Sequence, residues 1–371
     1  MRRQRLVRFA LFLAAPVLAI LLAALVAALV LVASGANPVE VLEATVAYGS
    51  RPGSMVAIVN KGMTYYLAGV AAAIGFRMLL FNIGIDGQYR IGVFFAAVVG
   101  GAVALPAPLH VTLTITVAVV CAALWAAIAG ALKAWRGVSE VISTIMLNGI
   151  ATGIIAFLLN PARLAVQAEG SNNITTAPIP ESGRLPGFAT EGGVILGFLV
   201  ITVIVGVGYW ILLNRTVFGF ELRASGRSLR AAAVSGVDSR RMILVTMTLS
   251  GAIAGLIGLP QLLGETYHYG LDFPAGFGIT GRAIALLGRN HPVGIAIGAL
   301  LWAAMERSSQ VLDLMGISKE IVTIMQGVIV LAIVVAYELV RRYSLRRQRA
   351  WVGEAEGTAG PGDGALAGAA T

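Results

Sequence analysis

Charged residues are scarce in this chain. They make up 12% of its 371 residues, whereas soluble domains usually carry about 25%. This shortage excludes an ordinary soluble fold. The single cysteine, Cys121, has no partner for an internal disulfide, so cysteine usage does not indicate a redox compartment. The three histidines, His110, His268 and His291, are far apart in the sequence, which argues against a metal site.

Signatures of nucleotide chemistry are also missing. The sequence has no Gly-Lys dipeptide, which a phosphate-binding P-loop requires, so the chain cannot hydrolyse ATP by that route. Residues 276–281 match G-x-G-x-x-G, but a dinucleotide site needs a preceding strand, and apolar segments flank this one. We interpret these glycines as helix-packing positions. No Ser-His-Asp, Cys-His or paired-carboxylate pattern is present, so no enzyme activity and no bound cofactor or metal are predicted.

Apolar residues, in contrast, make up 58% of the chain, and they form ten long segments. A membrane-spanning helix needs about 20 apolar residues. The segments lie at 9–33, 56–78, 91–105, 109–131, 140–160, 193–213, 242–263, 274–288, 292–306 and 320–340. Three of them, 91–105, 274–288 and 292–306, are short and interrupted by Gly or Pro, as in half-helices or re-entrant segments. The predicted fold is an all-α, polytopic membrane bundle of about ten transmembrane helices, some broken or re-entrant.

The distribution of Lys and Arg predicts the orientation. Arg2, Arg3, Arg5 and Arg8 precede the first span, and most other basic residues fall on the same side, so both termini are predicted to be cytoplasmic. This bias accounts for the net charge of +9 without nucleic-acid binding. The predicted regions are a basic N-terminus at 1–8, a membrane domain at 9–340 and a disordered cytoplasmic tail at 341–371. Within the membrane domain, 161–192 is an outer loop and 214–241 a cytoplasmic loop.

Polar residues at membrane depth are the main candidates for function, because a charge at the centre of a span costs about 2.5–3.5 kcal/mol. The densest group is Asn82, Asp86 and Gln88 in the string 81–88. Either a broken helix turns these side chains towards a cavity or interface, or they lie in a short cytoplasmic loop; the sequence leaves both open. Glu140 and its neighbours at helical spacing favour a helix cap with interhelical hydrogen bonds over a site.

The basic loop at 214–241 is the clearest candidate for a docking element. Residues 229–234 predict a short helix, which Gly236 ends. A short helix among arginines on the cytoplasmic face fits a soluble partner. The alternative is an ordinary positive-inside loop that binds lipid headgroups.

Three strings resemble the permease subunits of bacterial ATP-binding-cassette (ABC) importers, in the branched-chain amino acid/simple sugar/nucleoside permease family. They are Phe-Asn-Ile-Gly-Ile-Asp-Gly-Gln at 81–88, Ser-Glu-Val-Ile-Ser-Thr-Ile-Met-Leu-Asn at 139–148, and Leu-Ser-Gly-Ala-Ile-Ala-Gly-Leu-Ile-Gly at 249–258. The resemblance covers about 37–340. The first two strings look like the nucleoside branch, which works with Bmp-type binding lipoproteins, and the long outer loop resembles the larger of two paired permeases.

The resemblance implies a permease subunit in the bacterial cytoplasmic membrane that forms the path for a nucleoside or related small solute. Its implied partners are a second permease, an extracytoplasmic solute-binding lipoprotein and a separate ATPase subunit that holds ATP and Mg²⁺. The alternatives are a simple sugar such as ribose as the solute, or a stand-alone secondary transporter that uses Asp86, Glu140 or Glu265 as ion or proton sites.

The resemblance also gives the site residues. The coupling motif E-A-A-x-x-x-G is matched by Ala231, Ala232 and Gly236, but Arg230 stands where Glu is usual, which puts in doubt a salt bridge to the ATPase from this position. The predicted path residues share an amide, hydroxyl, carboxylate or aromatic group suited to a base and a ribose. They are Phe81, Asn82, Asp86, Gln88, Ser143, Asn148, Gln261, Tyr267, Phe277 and Thr280.

Overall fold

The apolar segments form helices in the computed structural model, which describes residues 21–167 and 172–358. The first helices are α1 (Leu21–Ala33), α2 (Pro38–Gly49), α3 (Pro52–Phe76), α4 (Ile85–Ala102), α5 (Ala107–Arg136) and α6 (Glu140–Leu158). After the outer loop come α7 (Phe198–Arg215), α8 (Val217–Arg227), α9 (Leu229–Val234), α10 (Ser239–Ala254) and α11 (Leu259–Gln261), which continues as a π-turn at Leu262–Thr266. The last are α12 (Phe277–Leu287), α13 (Pro292–Leu314) and α14 (Lys319–Thr358).

The all-α, multi-pass prediction is confirmed, although fewer helices than ten qualify as complete spans. Within the described residues, five helices are long and apolar enough to cross a membrane, or six if the bent pair α1 and α2 counts as one span. They lie at Ala107–Arg136, Glu140–Leu158, Phe198–Arg215, Ser239–Thr266 and Glu320–Val340. The predicted N-terminus at 1–8 lies outside the described residues.

Two of the three predicted half-helices are continuous. Helix α12 is short, since its 11 residues reach only about 16 Å. Helices α4 and α13 are unbroken over 18 and 23 residues, yet neither is among the five described helices that qualify as complete spans. Pro292 stands at the start of α13, where its missing N–H costs nothing. The tail prediction also differs, since α14 continues to Thr358, and 359–371 lie outside the described residues. The part of α14 at 341–358 contains many Arg, Ala and Glu residues, which are good helix formers.

The chain divides into two units. The smaller contains α1, the first residues of α2 and α14, and the larger comprises residues 43–315. In the larger unit, α3 is the central helix. It packs against α10, α12 and α13, and every residue from 62 to 75 is buried. A helix that is buried on all sides carries the core of its unit.

The outer loop contains two small hairpins that the sequence analysis did not predict. Strand β1 (Ala165–Gln167) pairs antiparallel with β2 (Ile174–Thr176), with Val166 opposite Thr175. Strand β3 (Phe188–Thr190) pairs antiparallel with β4 (Gly193–Ile195), with Ala189 opposite Val194. These strands of three residues are too short to show the alternation by which strands are recognised.

Helices α5 and α10 pack through small residues, as the spacing of Gly251 and Gly255 indicates. A methyl group at Gly251 would collide with Ala126, and one at Gly255 would lie 3.0 Å from the Ala122 Cβ. The similar pair Gly149 and Gly153 on α6 has no atom within 4 Å of such a methyl group. The same sequence pattern is therefore a close contact on α10 and an open face on α6.

Substitution of these glycines by alanine tests the packing. We expect Gly251→Ala to lower the free energy of unfolding by about 1–3 kcal/mol, because the added methyl group overpacks the α5–α10 contact. The matched variant Gly149→Ala gains helix propensity without a collision, and we expect it to raise that free energy by up to about 1 kcal/mol. Thermal unfolding of the chain in detergent measures both; equal shifts for the two variants would contradict the packing.

Candidate functional site

The turn between α3 and α4 carries a closed network of amides. Asn82 is 2% exposed, and its Nδ2 donates to Gln88 Oε1 and to Ser250 Oγ, each at 2.9 Å. Gln88 Nε2 donates in return to Asn82 Oδ1 at 3.0 Å, and Ser250 Oγ donates to the Ala71 carbonyl oxygen at 2.7 Å. The network therefore joins α3, α4 and α10 at one buried point, where each amide is satisfied by protein partners.

A third amide and a carboxylate extend this network to α6 and α12. Asn148 Oδ1 accepts from Gly87 N at 2.8 Å, and its Nδ2 donates to the Ile83 carbonyl oxygen at 3.0 Å. Asp86 Oδ1 accepts from the N–H groups of Gly276 and Gly278, at 3.0 and 3.2 Å. The Asp86 carboxylate thus lies at the amino end of α12, where the helix dipole favours a negative charge.

This contact explains the G-x-G-x-x-G string. Gly276 has a φ of +94°, in the left-handed region that favours glycine, and a side chain at Gly278 would collide with Asp86. Gly281 packs closely against Ala68 of α3. The interpretation as helix-packing glycines agrees with these contacts, and the anion that this helix end holds is a side chain of the same chain.

The structure brings four predicted path residues together, namely Asn82, Asp86, Gln88 and Asn148. The string 81–88 is neither a solvated loop nor an open cavity wall, because Asn82 and Gln88 are buried in internal hydrogen bonds. Asp86, Asn148 and Thr280 keep partial exposure. Ser143 is buried, and its hydroxyl donates to the Ser139 carbonyl oxygen in the first turn of α6.

The aromatic members of the predicted set lie apart from one another. Phe81 is 46% exposed and packs against Phe76, with ring centroids 4.9 Å apart. Tyr267 lies beneath the Arg184 guanidinium, which is 4.2 Å from its ring centroid, and so contacts the outer loop. Phe277 is 5% exposed at the start of α12.

A polar cavity of about 440 Å³ lies between α3, α13, the β3–β4 hairpin and the turn that follows α10. Gln261 is the member of the predicted set that lines it, among the described residues. Its polar lining residues carry charges of both signs as well as amides and a hydroxyl. They are Asn60, Lys61, Thr64, Gln261, Glu265, Glu306, Arg307 and Gln310.

An ion pair sits at one side of the cavity. Lys61 Nζ is 3.8 Å from Glu306 Oε1 and lies 4.9 Å from the ring centroid of Phe277 and 5.7 Å from that of Tyr65. The Tyr65 hydroxyl donates to the other oxygen of Glu306. The two rings meet edge to face, with centroids 5.9 Å apart. The Lys61 ammonium is therefore in cation–π contact with the faces of the Tyr65 and Phe277 rings and covers them.

Sequence reasoning missed Lys61, Tyr65 and Glu306. Lys61 falls within the predicted span 56–78, and Glu306 is the last residue of the predicted span 292–306. Charged residues in predicted spans are functional candidates, so this signal was present. The sequence contains no signal for their pairing, because 245 positions separate Lys61 from Glu306 along the chain.

The basic loop folds as its sequence indicates. The short helix α9 has the predicted bounds, and Gly236 follows it with a φ of +87°. Ala232 is buried at 3% exposure, whereas Val234 is 91% exposed. Arg230 is exposed as well. A groove of about 470 Å³ runs between α8 and α9; its lining residues include Phe220, Arg223, Arg227, Ala231 and Ser235.

Comparison with known proteins identifies relatives for most of the chain. Residues 54–334 match the family described as branched-chain amino acid transport system / permease component. The guanosine ABC transporter permease protein NupP of Bacillus subtilis is 34% identical over 278 residues, which are 74% of this chain and 79% of that protein.

Two further relatives cover more of the chain. The glucose ABC transporter permease protein TsgB13 of Haloferax volcanii is 29% identical over 345 residues, 88% of each chain. The nucleoside ABC transporter permease protein NupB of Lactococcus lactis is 29% identical over 334 residues, 87% of this chain and 90% of that protein. The match extends over most of the length of these two relatives.

Replacement of Asn82 separates a structural role from contact with a solute. We expect Asn82→Ala to lower the free energy of unfolding by about 1–3 kcal/mol, because the buried Gln88 amide loses its partner. The control Asn214→Ala removes an exposed amide that bonds to the Trp210 carbonyl oxygen, and we expect a change within about 0.5 kcal/mol. Unfolding in detergent measures both. An Asn82→Ala chain as stable as the wild type, but without transport, would instead favour a path-lining role.

Proposed function

The chain belongs to the family of branched-chain amino acid transport system permease components, and we propose that it forms the membrane path of an ABC importer for nucleosides. It is a multi-pass membrane protein. The observation that carries the solute class is its similarity to NupP, named for guanosine, and NupB, named for nucleosides. A simple sugar is the second candidate, because TsgB13, similar over 88% of the chain, is named for glucose.

The proposed path uses two polar regions of the larger unit. The cavity beside Lys61 and Glu306 forms its outer part, and the partly exposed Asp86, Asn148 and Thr280 line its inner part. Asn82 and Gln88 support this inner part through their hydrogen bonds. Among the predicted path residues, we thus propose that Asp86, Asn148 and Thr280 line the path and that Asn82 and Gln88 support the lining.

The basic loop is the proposed docking element for the ATPase subunit. Val217, Phe220, Leu229 and Val234 are exposed apolar residues on α8 and α9, and arginines lie between them. An apolar patch with a basic rim fits an apolar pocket with an acidic rim. With Arg230 in place of the usual Glu, the partner offers a carboxylate at this position. In the proposed orientation this loop and both termini are cytoplasmic.

The remaining partners follow from the same proposal. ATP and Mg²⁺ are bound by the ATPase subunit, since this chain has no Gly-Lys for a P-loop. A second permease completes the path, and an extracytoplasmic lipoprotein delivers the solute to the outer loop. The location is the bacterial cytoplasmic membrane.

A charge at the tip of α9 tests the docking surface. We expect Val234→Asp to reduce the amount of co-purified P-loop ATPase at least about tenfold, because a carboxylate would be buried in an apolar contact. The control Val166→Asp introduces the same charge at a half-exposed position on β1 of the outer loop, and we expect no loss. The measurement is the ATPase-to-permease ratio after purification in mild detergent. Equal ratios for wild type and Val234→Asp would contradict the assignment.

Uptake assays test the solute class. Cells that express the complete importer are expected to accumulate labelled guanosine, and cells without this chain are not, because the path is missing. Unlabelled nucleosides are expected to compete better than glucose or ribose. Stronger competition by sugars would favour the second candidate. Ion-driven flux in liposomes that contain this chain alone would contradict an ABC importer and favour a secondary transporter.

A further inference from the structure

The Lys61–Glu306 pair lies in the halves of α3 and α13 that are farther from the basic turns at 77–80 and 289–291, and both side chains are partly exposed. Lys61 precedes the last residue of α3 by 15 positions, and Glu306 follows the first residue of α13 by 14. At 1.5 Å per residue, both lie about 21–22 Å from the helix ends that flank the basic turns at 77–80 and 289–291. The apolar core of a bilayer is about 30 Å thick. Charged groups in a membrane domain are costly in lipid and occur where a watery cavity surrounds them. Lys61 and Glu306, whose side chains are 34% and 44% exposed, line such a cavity.

The cavity is pre-formed, because one side chain fixes its roof. Asn60 on α3 donates through Nδ2 to the Val194 carbonyl oxygen at 2.9 Å, and its Oδ1 accepts from Leu196 N at 3.0 Å. Gly192 at the hairpin turn packs against Pro52 so closely that a side chain there would collide. The volume of about 440 Å³ lies within the usual range for small-molecule sites, about 300–1,000 Å³.

The lining favours a neutral, hydroxylated ligand. Two carboxylates, Glu265 and Glu306, can accept hydrogen bonds from neighbouring hydroxyl groups, and the Gln261 amide can both donate and accept. Lys61 and Arg307 balance the two acidic charges, so the cavity has no excess charge that would select an ion.

The cavity offers no open aromatic face for the stacking of a planar base, because none of the described residues that line it is aromatic. The rings beside Lys61 do not line the cavity. Tyr65 and Phe277 are 4% and 5% exposed, and the Lys61 ammonium lies over both rings. We propose that this cavity binds the hydroxylated ring of the solute, which is the ribosyl group of a nucleoside or a free sugar, and leaves the base outside. This inference rests on the proposed importer function and adds the part of the solute that this chain recognises.

A cysteine in the cavity wall reports occupancy without relying on transport. The variant Ala57→Cys, in a Cys121→Ser background, places the chain's one thiol at a lining position. The complete importer in membranes is labelled from outside with a membrane-impermeant maleimide, in the presence of ribose, guanosine or guanine. At about ten times their Kd, we expect ribose and guanosine to slow labelling about tenfold. Guanine, which lacks the ribosyl group, is expected to have no effect.

A matched pair of variants assigns the effect to the carboxylate. Glu306→Gln is expected to raise the guanosine concentration needed for protection about tenfold, because a charge-assisted hydrogen bond becomes a neutral one. Glu191→Gln makes the same change at an exposed position of the hairpin that does not line the cavity, and protection is expected to be unchanged. Gln261→Ala provides a second test if Glu306→Gln does not fold.

The outcomes separate this inference from the proposed function. If the cells take up guanosine but no compound protects the cysteine, the cavity is not the site and the importer function stands. Protection by guanine equal to that by guanosine would also overturn the inference, because the base would then be recognised. If nucleoside uptake is absent and ribose is both taken up and protective, the nucleoside assignment fails, while binding of the hydroxylated ring is supported.

Discussion

The turn at 77–84 must satisfy its own polar groups, and the surrounding architecture depends on how it does so. In apolar surroundings an unpaired backbone N–H or C=O is costly, so a helix end needs partners from the protein. Here Asn82 and Asn148 supply partners to the turn and to the start of α4, and Asp86 supplies them to the start of α12. Together with Ser250, these side chains join α3, α4, α6, α10 and α12. The same turn contacts the basic loop, since Gly226 of α8 packs against the Arg77 carbonyl oxygen.

Two charged sites of different character follow from this arrangement. At the amino end of α12, the Asp86 carboxylate accepts hydrogen bonds from two backbone N–H groups and becomes part of the scaffold. At the first residue of the same helix, the Phe277 ring contacts the Lys61 ammonium, which pairs with Glu306 at one side of the cavity. The amino end of α12 therefore binds the Asp86 carboxylate through its N–H groups and the Lys61 ammonium through the Phe277 ring.

Local features were predictable from the sequence, and long-range ones were not. The bounds of α9 follow from a Ser before it and a Gly after it, and both cap signals lie within a few residues of the helix. The polar string at 81–88 was recognisable as important, but whether Asn82 faces a cavity or a partner depends on Ser250, 168 positions away. The Lys61–Glu306 pair could not be predicted for the same reason, because its two residues are 245 positions apart. The continuous α13 was missed because Gly and Pro within an apolar run do not by themselves distinguish a break from close packing.

The Asn60 side chain fixes the β3–β4 hairpin of the outer loop to helix α3. Its two hydrogen bonds hold Val194 and Leu196 at the end of β4, so the hairpin cannot slide along the helix without breaking both bonds. A force applied to this hairpin from outside is therefore transmitted as displacement of α3, the helix around which the larger unit is packed. The stiffness of the β3–β4 hairpin therefore determines how much of such a displacement reaches the turn at the opposite end of α3.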